Sequence, residues 1–227
     1  MKIGIIGTGI VGQTLAGKLS EIGHDVVMGT RNVSAARERS KPGNYGTPSF
    51  TDWLAQHPKV RLETFAKAAA HGEVVINATN GVNSLAALKE AGEKNLNGKI
   101  LIDIANPLDF SKGMPPSLTV CNTDSLGEQI QRAYPDARVV KTLNTVNAFV
   151  MISPGQVAGG DHHLFVCGND AEAKGKVAGW LKEWFGWKNV LDLGDITNAR
   201  GAEMILPIWV RLMGTLKTPM FNFKIVR

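Results

Sequence analysis

The stretch Lys2-Ile3-Gly4-Ile5-Ile6-Gly7-Thr8-Gly9-Ile10-Val11-Gly12 decides the fold. Lys2 to Ile6 is an apolar run bounded by glycine, the pattern of a strand buried on both faces. Gly7, Gly9 and Gly12 follow in G-x-G-x-x-G spacing, and Val11, Leu15, Leu19 and Ile22 then recur at helical intervals up to Gly23. A strand, a glycine turn and an amphipathic helix in that order form a cradle for a dinucleotide pyrophosphate. Gly7 allows the tight turn, Gly9 lets backbone approach the phosphates, and Gly12 lets helix and strand pack closely. The helix N-terminus, flanked by Thr8, Ile10 and Val11, offers free N–H groups and the positive end of its dipole.

Outward from this point, short β-rich runs alternate with helical ones. Strands are predicted at 25–28, 60–64, 74–77, 100–104 and 138–143, and helices at 34–39, 65–71, 84–94 and 126–133. Such alternation means right-handed βαβ units, so the fold class is α/β: an NAD(P)-binding Rossmann fold with a mostly parallel, doubly wound sheet. Residues 40–52, with Pro42, Gly43, Gly46 and Pro48, read as a loop or insertion, and 105–118 as a long loop of functional or lid type. Past a boundary near 150 the pattern changes to a strand at 163–167, a helix at 171–185, a strand at 190–193 and a helix at 198–216 kinked at Pro207. Two units are expected, 1–150 for the dinucleotide and 151–227 as a small α/β extension packed on the sheet edge.

The 227 residues are 44% hydrophobic and 20% charged, which suits a globular chain and not a disordered one. No apolar run nears the about 18 residues that span a bilayer. Glycines interrupt the apolar start, so it does not read as a signal peptide and a cytoplasmic location is expected. The net charge of +5 is scattered, with no basic stripe for nucleic acid. Cys121 and Cys167 match neither a disulfide framework nor a zinc motif and read as small core residues. No metal-ligand spacing is apparent. Met204, Leu206, Trp209, Leu212 and Met213 form an apolar stripe that is either core or the interface of a homodimer.

An NAD site places a carboxylate at the end of the second strand. Here that strand ends Met28-Gly29-Thr30-Arg31-Asn32, and Asp25 lies at its other end. A hydroxyl and a guanidinium suit a 2′-phosphate, so the cofactor is read as NADP(H), with Thr30 and Arg31 holding the phosphate. Arg37 and Arg39 either add charge or lie on a solvated helix face, the second being the plainer reading. Asn77, Ala78 and Thr79 end the fourth strand and Asn106 follows the fifth, at the carboxyl edge where a nicotinamide ribose approaches; plain turn chemistry is the alternative. His24, His57, His71, His162, His163, Tyr134 and Lys141 are the possible proton donors. None falls in a catalytic pattern, and His162 and His163 are expected to face solvent. Lys141, near the end of the sixth strand, is the best ionisable candidate but reads more simply as a positioning group. No catalytic residue is assigned. A site without an acid or base is coherent when hydride passes between two cofactors.

Five segments carry a resemblance to a family: 2–12; Gly29-Thr30-Arg31; Lys141-Thr142-Leu143-Asn144-Thr145-Val146; Phe165-Val166-Cys167-Gly168-Asn169-Asp170; and 191–200. The chain resembles the NADP oxidoreductases that depend on the deazaflavin coenzyme F-420, and the related cytosolic oxidoreductase domain of membrane metalloreductases. The resemblance implies direct hydride transfer between NADP(H) and a deazaflavin or flavin. It implies that Thr8, Gly9, Ile10 and Val11 touch the pyrophosphate, Thr30 and Arg31 the 2′-phosphate, and Asn77, Ala78 and Asn106 the nicotinamide side. Asn144 falls where some deazaflavin-using members have His, beside the second ring, and Ala35 where the archaeal type has a lysine. Residues 41–58, with Trp53 and His57, look inserted. Two other readings stay open: reduction of a small imine or carbonyl with Lys141 as donor, and a non-catalytic NADP-binding module.

Overall fold

Six apolar runs become six parallel neighbours. The computed structural model describes residues 1–43 and 46–227. Its strands are β1 (Lys2–Ile6), β2 (Asp25–Thr30), β3 (Arg61–Thr64), β4 (Val74–Asn77), β5 (Ile100–Asp103), β6 (Leu108–Asp109), β7 (Ser117–Leu118), β8 (Arg138–Thr142), β9 (His163–Cys167) and β10 (Asn189–Asp192). Eight of them form one sheet in the order β10-β9-β8-β5-β4-β1-β2-β3. From β3 to β8 every pairing is parallel, the doubly wound arrangement expected. β9 then pairs antiparallel with β8, and β10 parallel with β9, so the C-terminal part prolongs the same sheet.

Residues alternate between the two faces with the period of two that strands impose. Ile3, Ile5, Val26, Met28, Val74, Ile76, Ile100, Ile102 and Val140 enter one core. Ile6, Val27, Val75, Leu101 and Val139 enter the other. The first core is covered by α1 (Ile10–Glu21), α8 (Ala148–Ile152) and α9 (Ala171–Phe185), the second by α4 (Phe65–His71), α5 (Ser84–Ala91) and α7 (Leu126–Ala133). Burial on both faces is why these strands read as continuous apolar runs.

Several local expectations are corrected. Residues 50–56, read partly as loop, are helix α3 (Phe50–Gln56), which follows α2 (Val33–Arg37). Its start is a capping box: the Ser49 hydroxyl accepts from the Asp52 N–H at 3.1 Å and donates to the Asp52 carboxylate at 2.6 Å. The part of that loop and insertion at residues 44 and 45 lies outside the described residues. The single helix read over 84–94 ends at Ala91, because Gly92 takes φ +88°, and α6 (Glu93–Leu96) begins anew. The long loop after β5 carries the two-stranded β6–β7 hairpin. The expected kink at Pro207 is a break between α10 (Ala199–Met204) and α11 (Leu206–Leu216), with the proline in the first turn of α11, where its missing N–H costs nothing. Ile208 and Leu216 on α11 are exposed. Cys167 is buried as expected, but Cys121 is exposed, since it falls in the turn before α7 and no element covers it.

The extension is fastened by a buried ionic cluster. The Lys141 ammonium at the end of β8 is 0% exposed and lies 2.8 Å from Asp103 Oδ2 on β5 and 2.8 Å from Glu203 Oε1 on α10. Its third hydrogen bond goes to the Ala105 carbonyl. Glu203 also accepts from the Leu126 and Gly127 N–H groups at 2.8 and 3.0 Å, capping α7. Burial by itself would lower the Lys141 pKa; the Asp103 and Glu203 carboxylates outweigh it and hold the ammonium above its ordinary value.

Lys141→Met is expected to lower unfolding free energy by about 3–5 kcal/mol, because it strands two buried carboxylates. Urea unfolding checks this, and a loss under about 1 kcal/mol, the scale of a surface change, contradicts the cluster. Burial also pushes the Cys167 thiol up to about 12. The folded protein is therefore expected to give one fast thiol with Ellman's reagent, Cys121, and a second only after unfolding. Two fast equivalents would show that Cys167 is accessible.

Candidate functional site

The glycine turn has the geometry of a phosphate cradle. Gly7 takes φ +117°, and a Cβ there would stand 2.6 Å from the Ala78 carbonyl oxygen, so the turn and the end of β4 are in direct contact. A Cβ on Gly12 would collide with the Gly7 carbonyl, which keeps α1 tight against β1. At Gly9 a Cβ would meet nothing within 4 Å: this side faces open space. Gly9 is also the N-cap of α1, no side chain caps it, and the first turn carries no acidic residue. An uncapped helix end opening onto a free volume fits a pyrophosphate. Thr8 is buried, Ile10 exposed and Val11 partly buried around it.

At the end of β2, Thr30 is half-buried and Arg31 projects outward. The Arg31 Nε lies 3.2 Å from Glu90 Oε1, the two side chains 64% and 45% exposed. Asn32 caps α2 by accepting from the Ala35 N–H at 3.0 Å. Arg39 is exposed, as read, but stands beyond the helix rather than on its face. α2 ends at Arg37, and Arg39 folds back so that its Nη2 donates to the Thr8 carbonyl at 2.9 Å. Its guanidinium carbon stands 4.4 Å from the centre of the Phe50 ring. A cavity of about 640 Å³ lies here, bounded by Thr8, Gly9, Gln13, Arg39 and Phe50 among others. A second, of about 620 Å³, runs along α1 past Trp53, His57 and Phe149. His57 stacks on Trp53 with ring centres 4.2 Å apart.

The carboxyl edge of β4, β5 and β8 holds amides. Asn77 is fully buried and turned into the protein: it donates to Asp103 Oδ1 at 2.8 Å and accepts from the Thr79 hydroxyl at 2.7 Å. Asn77 thereby joins the Lys141 cluster to the turn that carries Thr79. Asn106 donates to the Asn144 carbonyl at 2.8 Å and accepts from Asn144 Nδ2 at 3.0 Å. Asn144 Nδ2 also donates to the Ala202 carbonyl at 3.0 Å. Between β8 and Asn144, Leu143 takes φ +60°, a conformation that a branched side chain rarely adopts. The neighbouring Thr145 hydroxyl is buried and unpaired.

The proton-handling candidates are engaged elsewhere. All three Lys141 protons point at acceptors inside the protein, so none is directed at the cleft. His24 stands beside Met1 and His71 beside Asp25, at the amino end of the sheet. His162, expected in solvent, is buried: Asn222 donates to its Nδ1 at 2.7 Å, which leaves Nε2 to donate to the Pro154 carbonyl at 3.0 Å. The C-terminal segment covers it, and no periodicity in that segment announces this. His163 Nδ1 accepts from the Ile225 N–H at 3.2 Å. Tyr134 is buried behind α7. Among the described residues there is no group of three His, Cys, Asp or Glu side chains placed to hold a metal, and no helix long and apolar enough to cross a membrane.

The chain was compared with known proteins. The family model described as NADP oxidoreductase, coenzyme F420-dependent, matches residues 2–107. The crystal structure of a candidate F420-dependent NADP reductase from Arthrobacter sp. FB24 is 59% identical, with all of each chain covered and a TM-score of 0.95. The metalloreductase STEAP3 of Rattus norvegicus is 28% identical over 92% of this chain, which spans 38% of that protein's length. An imine reductase from Bacillus cereus shares the fold alone, at 17% identity and a TM-score of 0.60 over 95% of this chain and 62% of that one. The glycine cradle and the parallel sheet that builds it are thus those of the coenzyme F420-dependent NADP oxidoreductases, the family to which this chain belongs.

Proposed function

We propose that the protein transfers a hydride directly between NADP(H) and a deazaflavin or flavin coenzyme. The observation that carries this reading is the Lys141 cluster. The titratable groups at the carboxyl edge, Asp103, Lys141 and Glu203, close on one another, and the amides beside them, Asn106 and Asn144, bond to each other. That edge suits a reaction in which the protein need only align two rings and exclude water. The two bound coenzymes supply the hydride chemistry themselves.

The chain's own part is binding and orientation. Gly7, Thr8, Gly9, Ile10, Val11 and Gly12 hold the pyrophosphate on the α1 N-terminus. Thr30 and Arg31 take the 2′-phosphate, with Arg31 leaving its exposed pairing to Glu90, which costs little at a wet surface. Ala78, Thr79 and Asn106 flank the nicotinamide side, with Asn77 fixing Thr79 from behind. Asn144, braced by Asn106 and the Ala202 carbonyl, stands toward the second ring. Residues 1–150 supply the dinucleotide half of this site and 151–227 its cover. The amine-donor role for Lys141 is set aside because its ammonium is enclosed.

The direct test is to mix the protein with NADPH and, separately, coenzyme F-420, FMN, FAD and riboflavin, following the acceptor's absorbance. Turnover with at least one is expected; none with any of them defeats the reading. Arg31→Ala is expected to weaken NADPH binding about tenfold or more, the scale of one charge-assisted hydrogen bond, while leaving NADH unchanged. Equal losses for the two nucleotides in calorimetry would remove the 2′-phosphate from Arg31.

A further inference from the structure

We propose that Arg39, held on the phosphate loop by the Thr8 carbonyl and on the inserted helix α3 by Phe50, is a dinucleotide-binding residue whose guanidinium takes a phosphate of the adenosine half. The inference rests on the proposed NADP(H) site and adds a ligand that no sequence motif marks.

The geometry is specific. One nitrogen, Nη2, donates to the Thr8 carbonyl at 2.9 Å, one residue before the open N-cap Gly9. The flat face lies 4.4 Å from the centre of the Phe50 ring. Phe50 is itself buried and starts α3 behind the Ser49 capping box. The guanidinium is therefore fixed from two sides and loses little freedom when it binds. Gln13 Nε2 donates to the same Thr8 carbonyl at 3.0 Å, so this oxygen is already saturated and turns no acceptor toward a ligand. Among the described residues Nε and Nη1 have no hydrogen-bond partner and no carboxylate pairs with Arg39. Arg31 differs on this last point, since Glu90 partly neutralises it.

Charge and space agree. Arg39 borders the cavity of about 640 Å³ that opens beside Gly9, together with Lys41 and Gln13; Glu38 is the one acidic residue among those lining it, against two cations. An exposed cation with no carboxylate partner among the described residues, next to an uncapped helix N-terminus, makes an electropositive patch, and a phosphate is the group that both would attract. The phosphate belongs either to the pyrophosphate, common to NADH and NADPH, or to the 2′ position of NADPH. The recognition chemistry is the same, a guanidinium fork on phosphate oxygens. Phe50 gives α3 a purpose: the helix supplies the platform on which Arg39 lies.

The test is calorimetric titration of wild type, Arg39→Met and Phe50→Leu with NADPH, NADH, 2′,5′-ADP and 5′-ADP, with circular dichroism to verify folding. Arg39→Met keeps the stem and removes the fork, and about a tenfold or greater loss is expected. A loss shared by all four ligands assigns Arg39 to the 5′-phosphate side; a loss confined to NADPH and 2′,5′-ADP assigns it to the 2′-phosphate. Phe50→Leu, which loosens the platform but keeps the charge, is expected to lose several-fold. Unchanged affinity for every ligand in a folded Arg39→Met overturns the proposal while leaving the NADP(H) site standing. If wild type itself fails to bind NADPH, both readings fall. Should Arg39→Met not fold, Arg39→Lys replaces it; the point charge without the fork is expected to bind several-fold more weakly, and wild-type affinity overturns the proposal.

Discussion

A lysine enclosed by two carboxylates is tolerated in a core only when every proton and lone pair is satisfied, because each desolvated charge otherwise costs several kcal/mol. Lys141 meets that condition by drawing four elements together: β5 through Asp103, its own strand β8, α10 through Glu203, and α7 through the N–H groups that Glu203 caps. Two carboxylates face one ammonium, and the α7 N-terminus offsets part of the excess negative charge. The same contact reaches the site, since Lys141 also holds the Ala105 carbonyl, the residue before Asn106. Attachment of the C-terminal part and the position of the amides at the carboxyl edge are thus one constraint. It also explains why the edge presents amides: its charges have been spent inward.

At the other end of the site the electrostatics run outward. The N-terminus of α1 is left uncapped, with no acidic side chain in its first turn. Arg31 and Arg39 stand on the proposed adenosine side, one paired with an exposed carboxylate and one with no carboxylate partner among the described residues. Such a gradient, neutral at the amide edge and positive beside the glycine turn, suits the dinucleotide proposed above, whose phosphates would lie on the positive side.

The parallel part of the sheet was legible because its central strands are buried on both faces. An apolar run between turn residues, as at Val74-Val75-Ile76 or Ile100-Leu101-Ile102, is a signal written in a few consecutive residues. The phosphate loop was legible for a similar reason: its glycines answer local steric demands, seen at Gly7 and Gly12. What escaped depends on partners far away in sequence. Lys141 was singled out, but its role needs Asp103 and Glu203. His162 is covered by Asn222, 60 positions later, within a segment lacking any periodic pattern. Arg39 was assigned to a helix face because a short helix was extended two residues too far. Ser49 and Asp52 were a local signal for α3, hidden by the prolines and glycines just before them.

The reversal of strand direction between β8 and β9 has its own consequence for the site. A parallel neighbour would require the chain leaving β8 to cross back to the opposite edge before re-entering the sheet. An antiparallel neighbour starts on the edge where β8 ends, so the connecting chain stays there. That connection contains Leu143 in its left-handed conformation, Asn144, the buried hydroxyl of Thr145 and α8, which packs against α1. The chain between the two strands is thereby laid across the carboxyl edge, from the amide pair Asn106–Asn144 toward the phosphate-loop helix. Had β9 run parallel, this wall would have been carried to the far side of the sheet, and the cleft would stand open beside β8. The change from parallel to antiparallel pairing, modest as a feature of topology, is what keeps the chain leaving β8 on the carboxyl edge, beside the amide pair Asn106–Asn144.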